Sequence, residues 1–325
     1  MKHTKFEQLF KFLPKSQTKA GDGASEGKYP FYTSSNSLTK FYSDYLFEGD
    51  SLIFGTGGNA SIHFQNRKFS CSTDCLVAQP IKSEKVLAKF VFYYLSGHIH
   101  ILENGFKGAG LKHISKQYIN SIKIPIPYPD NQEKSLAEQK RIAAILDKAD
   151  EIRKKRAESL RLADEFLKST FLDMFGDPVK NPKRWEKQPL LDVLSFTTGK
   201  LDSNAAEING KYPFFTCSQE TFKINSYEFD CEALLLAGNN AAGVYSIKHY
   251  KGKFNAYQRT YVITIKNPTH SYEYYKTLIE FKLKELQRNS KGTNTKYLTM
   301  GIFERMYIPI PSESLQKQYS SIVKA

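Results

Sequence analysis

The longest regular pattern in the chain runs from Ser135 to Phe175. Apolar residues recur at Ile142, Ile145, Ala149, Ile152, Leu160, Ala163, Leu167, Phe171 and Met174, in steps of three and four broken only across Arg156. That spacing puts one apolar stripe along an α-helix. Ser135-Leu136-Ala137-Glu138 has the capping-box pattern, in which the serine oxygen and the glutamate carboxylate satisfy amide groups of the first turn, and Gly176 before Asp177-Pro178 supplies a stop. About 40 residues at about 1.5 Å each make a rod of about 60 Å. A stripe on so long a helix needs a partner helix, because a lone rod leaves its seam in water.

On both sides the period changes. Tyr29 to Thr33, Ser51 to Phe54 and Cys75 to Gln79 read as short strands, with Gly55-Thr56-Gly57-Gly58-Asn59 as a turn and a helix over Val86 to Ile101. Ala233 to Ala237 and Tyr261 to Lys266 read as strands and Tyr272 to Leu286 as a helix, in the same order.

The likeness extends to residues. Gly27-Lys28-Tyr29-Pro30-Phe31-Tyr32-Thr33 returns as Gly210-Lys211-Tyr212-Pro213-Phe214-Phe215-Thr216. Lys107-Gly108-Ala109-Gly110-Leu111-Lys112 returns as Lys291-Gly292-Thr293-Asn294-Thr295-Lys296, and Ile124-Pro125-Ile126-Pro127 as Ile308-Pro309-Ile310-Pro311. A period of about 184 residues is far too long for a solenoid, so each copy is a domain with its own core. The expected fold is mixed α/β (α+β): two repeated domains joined by a long coiled-coil-type helix, with pseudo-twofold symmetry. After the second Ile-Pro-Ile-Pro block, Ser314-Leu315-Gln316-Lys317-Gln318 resembles Ser135-Leu136-Ala137-Glu138-Gln139 and opens another helix, which stops at Ala325.

Charge narrows the partner. Lys and Arg number 47 against 33 Asp and Glu, a formal net charge of +14 over 325 residues, which favours a polyanion, nucleic acid first. No apolar stretch of spanning length and no N-terminal signal pattern are visible, so a soluble, cytoplasmic protein with no membrane partner is expected. Cys71, Cys75, Cys217 and Cys231 lack the paired spacings of a zinc site and read as reduced thiols.

The run Leu136-Ala137-Glu138-Gln139-Lys140-Arg141-Ile142-Ala143-Ala144-Ile145-Leu146-Asp147, continuing to Phe171-Leu172-Asp173-Met174-Phe175-Gly176-Asp177-Pro178, resembles the central region of Type I restriction-modification specificity subunits. The resemblance covers essentially the whole chain. It implies target-recognition domains at 1–133 and 177–312, a spacer helix at 134–176 and, at 313–325, the start of a distal spacer helix that in the family packs antiparallel on the first. It also implies a non-catalytic subunit that reads a split target in double-stranded DNA and recruits methyltransferase and translocase-nuclease (modification and restriction) subunits. S-adenosylmethionine, with ATP and magnesium for restriction, is then expected on those partners and no cofactor on this chain. A second copy of the chain is a further candidate partner, and the short distal helix leaves a second function class open, a truncated dominant-negative module that binds modification subunits without productive targeting.

Base reading requires Asn, Gln, Arg or Thr on loops, and phosphate contact requires Lys or Arg. The repeat-matched loops offer Thr56, Asn59, Lys107 and Lys112 in the first domain. In the second they offer Asn239, Asn240, Tyr257, Gln258, Arg259, Lys291, Asn294 and Lys296. Ser70 to Asp74 and Asn255 to Arg259 carry different residues in similar frames, as two different half-sites require and as plain divergence of a duplicated loop also produces. The partner interface is expected on the helix stripe at Ile142, Ile145, Ala149, Ile152, Leu160, Ala163, Leu167 and Phe171.

Enzymatic readings fit less well. Asp130 with Glu138-Gln139-Lys140 matches a literal nuclease pattern, yet it falls in a proline-rich linker and a helix start rather than on a sheet. Gly55-Thr56-Gly57-Gly58 lacks the Gly-Lys-Ser/Thr ending of a phosphate cradle and reads as a tight turn. Asn181-Pro182-Lys183 and Asn267-Pro268-Thr269 do not form the adenine-gripping motif of a methyltransferase. No catalytic residue and no metal ligand is expected. Arg153-Lys154-Lys155-Arg156 reads mainly as the solvated face of the helix, with Arg156 setting register.

Overall fold

A computed structural model describes residues 2–241 and 243–325. The chain forms two compact units, Met1–Ala157 and Glu158–Ala325.

In the first unit a four-stranded antiparallel sheet has the order Phe10–Phe12, Cys75–Pro80, Ser51–Gly55, Ser61–Gln65. Beside it a three-stranded sheet places Tyr29–Tyr32 between Lys40–Tyr42 and, in parallel, Ser70–Cys71. In the second unit the corresponding strands form one six-stranded sheet: Leu194–Thr198, Thr260–Ile265, Phe229–Ala237, Ile247–Ala256, Tyr212–Phe215, Phe222–Ile224. The unbroken Ile247–Ala256 strand joins what Asn66 to Phe69 separate in the first unit. Phe31 pairs Ser70 as Phe214 pairs Asn255, and Tyr32 pairs Cys71 as Phe215 pairs Ala256, so the register is the same.

The Ile-Pro-Ile-Pro blocks close each unit. Lys123–Ile126 pairs antiparallel with Lys2–Lys5, and Tyr307–Pro309 with Lys187–Pro189. Ile124 and Ile308 are fully buried in the respective cores, while the prolines, which lack an N–H for a ladder, stand where a two-stranded ribbon tolerates them. Both cores pack a strand-following helix on the sheet: Ala88–Gly97 in the first unit and Tyr272–Asn289 in the second. The first of these is shorter than the Val86 to Ile101 reading, because the chain breaks at His98 and resumes as a separate turn, His100–Glu103.

The long helix runs unbroken over Gln132–Phe175, 44 residues, or about 66 Å of axis. Its start differs from the capping-box reading. Asn131 is the cap: its Oδ1 accepts from the Lys134 amide at 2.9 Å and its carbonyl from the Ser135 amide at 2.9 Å. Ser135 is inside the helix and buried, accepting from Gln139 Nε2. The stop is as expected, since Gly176 takes φ +77° and donates its amide to the Leu172 carbonyl. Among the described residues no helix is long and apolar enough to cross a membrane.

A polar device ties the helix after each Ile-Pro-Ile-Pro block to its own unit. Gln139, fully buried, accepts at Oε1 from the Leu87 amide at the start of the Ala88–Gly97 helix and donates from Nε2 to the Lys85 carbonyl. Gln316, on the closing helix Glu313–Lys324, is equally buried; it accepts from the Ser271 amide at the start of Tyr272–Asn289 and donates to the Pro311 carbonyl. Gln139 therefore corresponds to Gln316 and Ser135 to Ser312, two residues off the match of Ser135 with Ser314.

Candidate nucleic-acid interface

The candidate loop residues meet at one corner of each unit, and the same backbone bonds make both corners. In the first, the Thr56 amide donates to the Asp74 carbonyl at 2.9 Å and the Ile114 amide to the Thr56 carbonyl at 3.1 Å. In the second, the Gly238 amide donates to the Arg259 carbonyl at 2.8 Å and the Leu298 amide to the Gly238 carbonyl at 2.8 Å. Ser34 Oγ reaches the Asp74 carbonyl at 3.0 Å, where the Cys217 thiol reaches the Arg259 carbonyl at 3.3 Å. Thr56 thus corresponds to Gly238, and Asn239 and Asn240 to Gly57 and Gly58.

A glycine hairpin completes each corner. Phe106–Lys107 pairs with His113–Ile114, and the amides and carbonyls of Lys291 and Tyr297 exchange bonds at 2.9 and 3.0 Å. Gly108 has φ +144° and a Cβ there would stand 2.5 Å from the Leu111 carbonyl oxygen; Gly292 has φ +95° and its Cβ would stand 2.1 Å from that of Thr295. The two glycines are required for the same reason, a left-handed backbone with a carbonyl folded back on it.

The side chains on this common frame differ. In the first unit Lys107, Lys112 and Asn59 are exposed, and Thr56 is half-buried with its hydroxyl on the Asp74 carbonyl at 2.9 Å. In the second, Asn239 and Asn240 pair with Tyr297 and Lys296, while Gln258, Arg259, Lys291 and Asn294 are exposed and Tyr257 is half-buried. A cavity of about 150 Å³ opens there, lined by Thr198, Gln258, Arg259, Tyr261 and Tyr297 among others. Burial raises the Tyr261 phenol above its ordinary range, and its hydroxyl donates to the Leu298 carbonyl at 3.1 Å, so it acts as a neutral donor.

Two residues escaped the sequence reading. His113 and Tyr297 occupy equivalent hairpin positions, each bridged to the first glycine-loop residue, Gly57 or Asn239, and each exposed. The repeat carries the signal, since they follow the matched Lys112 and Lys296 directly.

The helix stripe divides in three. Ile142 packs on the first core; Met174 and the fully buried Phe171 pack on the second, and Leu167 is half-buried. Between them Ile145, Ala149, Ile152, Leu160 and Ala163 are exposed, Leu160 at 70%. Arg153, Lys154 and Lys155 pair with Asp150 and Glu151 one turn away, as a solvated helix face does.

For a metal, the described residues offer Glu232, His249 and Glu273, whose donor atoms lie within 4.8 Å of one another. All four carboxylate oxygens are already engaged. Glu232 accepts from His249 Nε2 at 2.9 Å and faces Lys251 at 3.1 Å; Glu273 faces Lys324 at 3.0 Å and accepts from the Ser271 and Ser320 hydroxyls. Burial alone would raise the Glu273 carboxyl, but these partners hold it down at about 2. The group is a closed ion network in which lysine ammoniums take the place a cation would need.

Comparison with known proteins adds the family. The model of the Type I restriction modification DNA specificity domain matches residues 2–162 and 182–325. The Type I restriction enzyme EcoDI specificity subunit of Escherichia coli is 43% identical over 140 residues, 42% of this chain and 30% of that protein. The MjaIX specificity subunit of Methanocaldococcus jannaschii is 26% identical over 288 residues, 75% of this chain and 63% of that protein. The chain thus spans less than two thirds of the length of either relative. The crystal structure of a Type-I restriction-modification system S subunit from M. genitalium superposes with a TM-score of 0.74 at 15% identity, over 99% of this chain and 88% of that one, and shows the same fold.

Proposed function

The chain belongs to the Type I restriction modification DNA specificity family, and from that premise we propose that it is a non-catalytic DNA-recognition subunit reading a bipartite duplex target. The observation that carries the reading is the corner made twice: one set of backbone bonds around Thr56 and Gly238 presents Thr, Asp, His and Lys in one unit and Asn, Gln, Arg, Tyr and Lys in the other. A shared frame with different donors and acceptors suits two half-sites of different sequence, because base edges are distinguished by donor and acceptor pattern. The excess of 14 positive charges supplies the sequence-independent part of binding to phosphate.

In this reading the 44-residue helix is a ruler between the half-sites, and its exposed segment from Ile145 to Ala163 is where modification subunits attach. In the same reading the partners bring S-adenosylmethionine for methylation, and ATP with magnesium for restriction. No observation favours the alternative of a non-productive assembly module.

The test is co-expression with modification subunits and sequencing of the methylated host DNA. A complex that methylates one split motif is expected, and a helix lengthened by one turn should widen the gap within that motif. A complex that forms and methylates nothing overturns the reading.

A further inference from the structure

We propose that Asp74 and Arg259 discriminate bases, Asp74 by accepting from the exocyclic amino group of cytosine or adenine and Arg259 by donating to the O6 and N7 acceptors of guanine. The inference rests on the DNA-recognition reading above and assigns chemistry to each corner of it.

The two residues occupy one position in the repeated frame. The Asp74 carbonyl is held by the Thr56 amide and hydroxyl, both at 2.9 Å, and by Ser34 Oγ at 3.0 Å; the Arg259 carbonyl is held by the Gly238 amide at 2.8 Å and the Cys217 thiol at 3.3 Å. Their backbones are therefore pinned while their side chains are exposed. Among the described residues neither the carboxylate nor the guanidinium has a hydrogen-bond or ion-pair partner. Elsewhere in the molecule the acids are widely paired, as Asp147, Asp150, Glu151 and Glu232 are.

An unpaired carboxylate on a face built for a polyanion repels phosphate, so it weakens binding unless it meets a donor. A carboxylate is an acceptor only. In the major groove the donors are the amino groups of cytosine N4 and adenine N6, and guanine and thymine present only acceptors there. Arginine is the converse: its planar fork has donors only, and two of them match guanine O6 and N7 together. A pinned backbone favours base reading over phosphate contact, since reading demands one fixed reach and a phosphate tolerates many. The two corners thus differ at this position by a reversal of donor and acceptor.

The test is selection from a fully randomised duplex library by the full chain and by Asp74→Ala, Asp74→Asn and Arg259→Ala, with binding also measured against salt. The wild-type chain should enrich cytosine or adenine at one position of one half-site and guanine at one position of the other. Asp74→Ala should flatten the first preference by about ten- to a hundred-fold and leave the other half-site unchanged, and Arg259→Ala should do the reverse. Asp74→Asn, which offers a donor beside its acceptor, should move the preference to adenine. Unchanged motifs in all three variants overturn the assignment while recognition stands. A uniform loss across sequences with a shallower salt slope in Arg259→Ala makes that residue a phosphate contact and overturns its half. If the wild-type chain enriches no motif, the recognition reading falls and this assignment with it.

Discussion

In the first unit Lys89 Nζ stands 2.9 Å from Asp147 on the long helix, and in the second Glu273 stands 3.0 Å from Lys324 Nζ on the closing helix. By the frame that equates Gln139 with Gln316 and Leu87 with Ser271, these are the same contact with its signs exchanged. Duplication has kept the geometry and reversed the charge. Such a reversal makes each helix match only its own unit, because Lys89 with Lys324, or Glu273 with Asp147, would be a like-charge pair. The apolar anchoring differs as well: the long helix gives the first unit Ile142 and the buried Ala143, and gives the second Phe171 and Phe175 among Tyr274, Phe281 and Tyr319.

The largest effect should come from removing the aromatic anchor. Phe171→Ala deletes a fully buried ring stacked on Tyr274 at 5.6 Å between centroids and on Phe281 at 5.3 Å, at a cost of about 3–5 kcal/mol. Calorimetry of the full chain should show the second unit's transition falling while the first unit's stays. Equal shifts in both would mean that the units do not hold the helix independently.

Acid sharpens the comparison next. The Glu273 carboxyl, buried yet held at about 2 by Lys324 and two serine hydroxyls, is depressed below its unfolded value, so its contribution is complete above that value and is lost as pH falls toward 2. The loss approaches about 3 kcal/mol, less to the extent that solvent screens Lys324. Asp147 is shifted the same way: burial raises it, and the Lys89 and Tyr93 hydrogen bonds outweigh that. It is far more exposed than Glu273, so the first unit should weaken less between about pH 4.5 and 2. Glu273→Gln should flatten the second unit's profile over that window. A profile as steep as wild type would place the acid sensitivity elsewhere.

A smaller effect tests the sign reversal itself. Asp147→Lys should destabilise the first unit by about 1 kcal/mol, and adding Lys89→Glu should recover most of it, because the pair then has the second unit's polarity. Urea unfolding of the two single variants and the double variant measures the coupling. Additive losses would show that the two charges do not sense each other.

How much of this was legible in sequence follows from what each residue signals alone. The repeat, the long helix and its glycine stop rest on period and on backbone demands, and these survive translation into structure directly. The cap at Asn131 was missed because Ser135 satisfies the same local pattern; tertiary burial, which no local pattern contains, puts Ser135 inside the helix beside Gln139. Gln139 and Gln316 carry no local signal of burial, and their role appears only when the amides they satisfy, Leu87 and Ser271, arrive from distant segments. The corner residues were visible as loops, but their equivalence was not: pairing Thr56 with Gly238 requires the hydrogen bonds to Asp74 and Arg259. His113 and Tyr297 were hidden by residue type, since neither belongs to the Asn, Gln, Arg and Thr set usually sought at base edges.

The smallest expected change in stability belongs to the segment between the two anchors. Ile152 is 44% exposed on a turn whose neighbours Arg153 and Lys155 are paired with acids in solvent, so Ile152→Asp leaves no cavity and buries no charge. Its cost to folding should stay within about 0.5 kcal/mol. If the exposed apolar segment is where modification subunits attach, the same substitution should abolish their association, since an aspartate desolvated without a partner is expensive. Ile145→Asp should behave alike, whereas Phe171→Ala should lower stability before it affects association. A variant at Ile152 that co-purifies with modification subunits as wild type does would move the attachment surface off this stripe, and would leave the helix with the role of spacer alone.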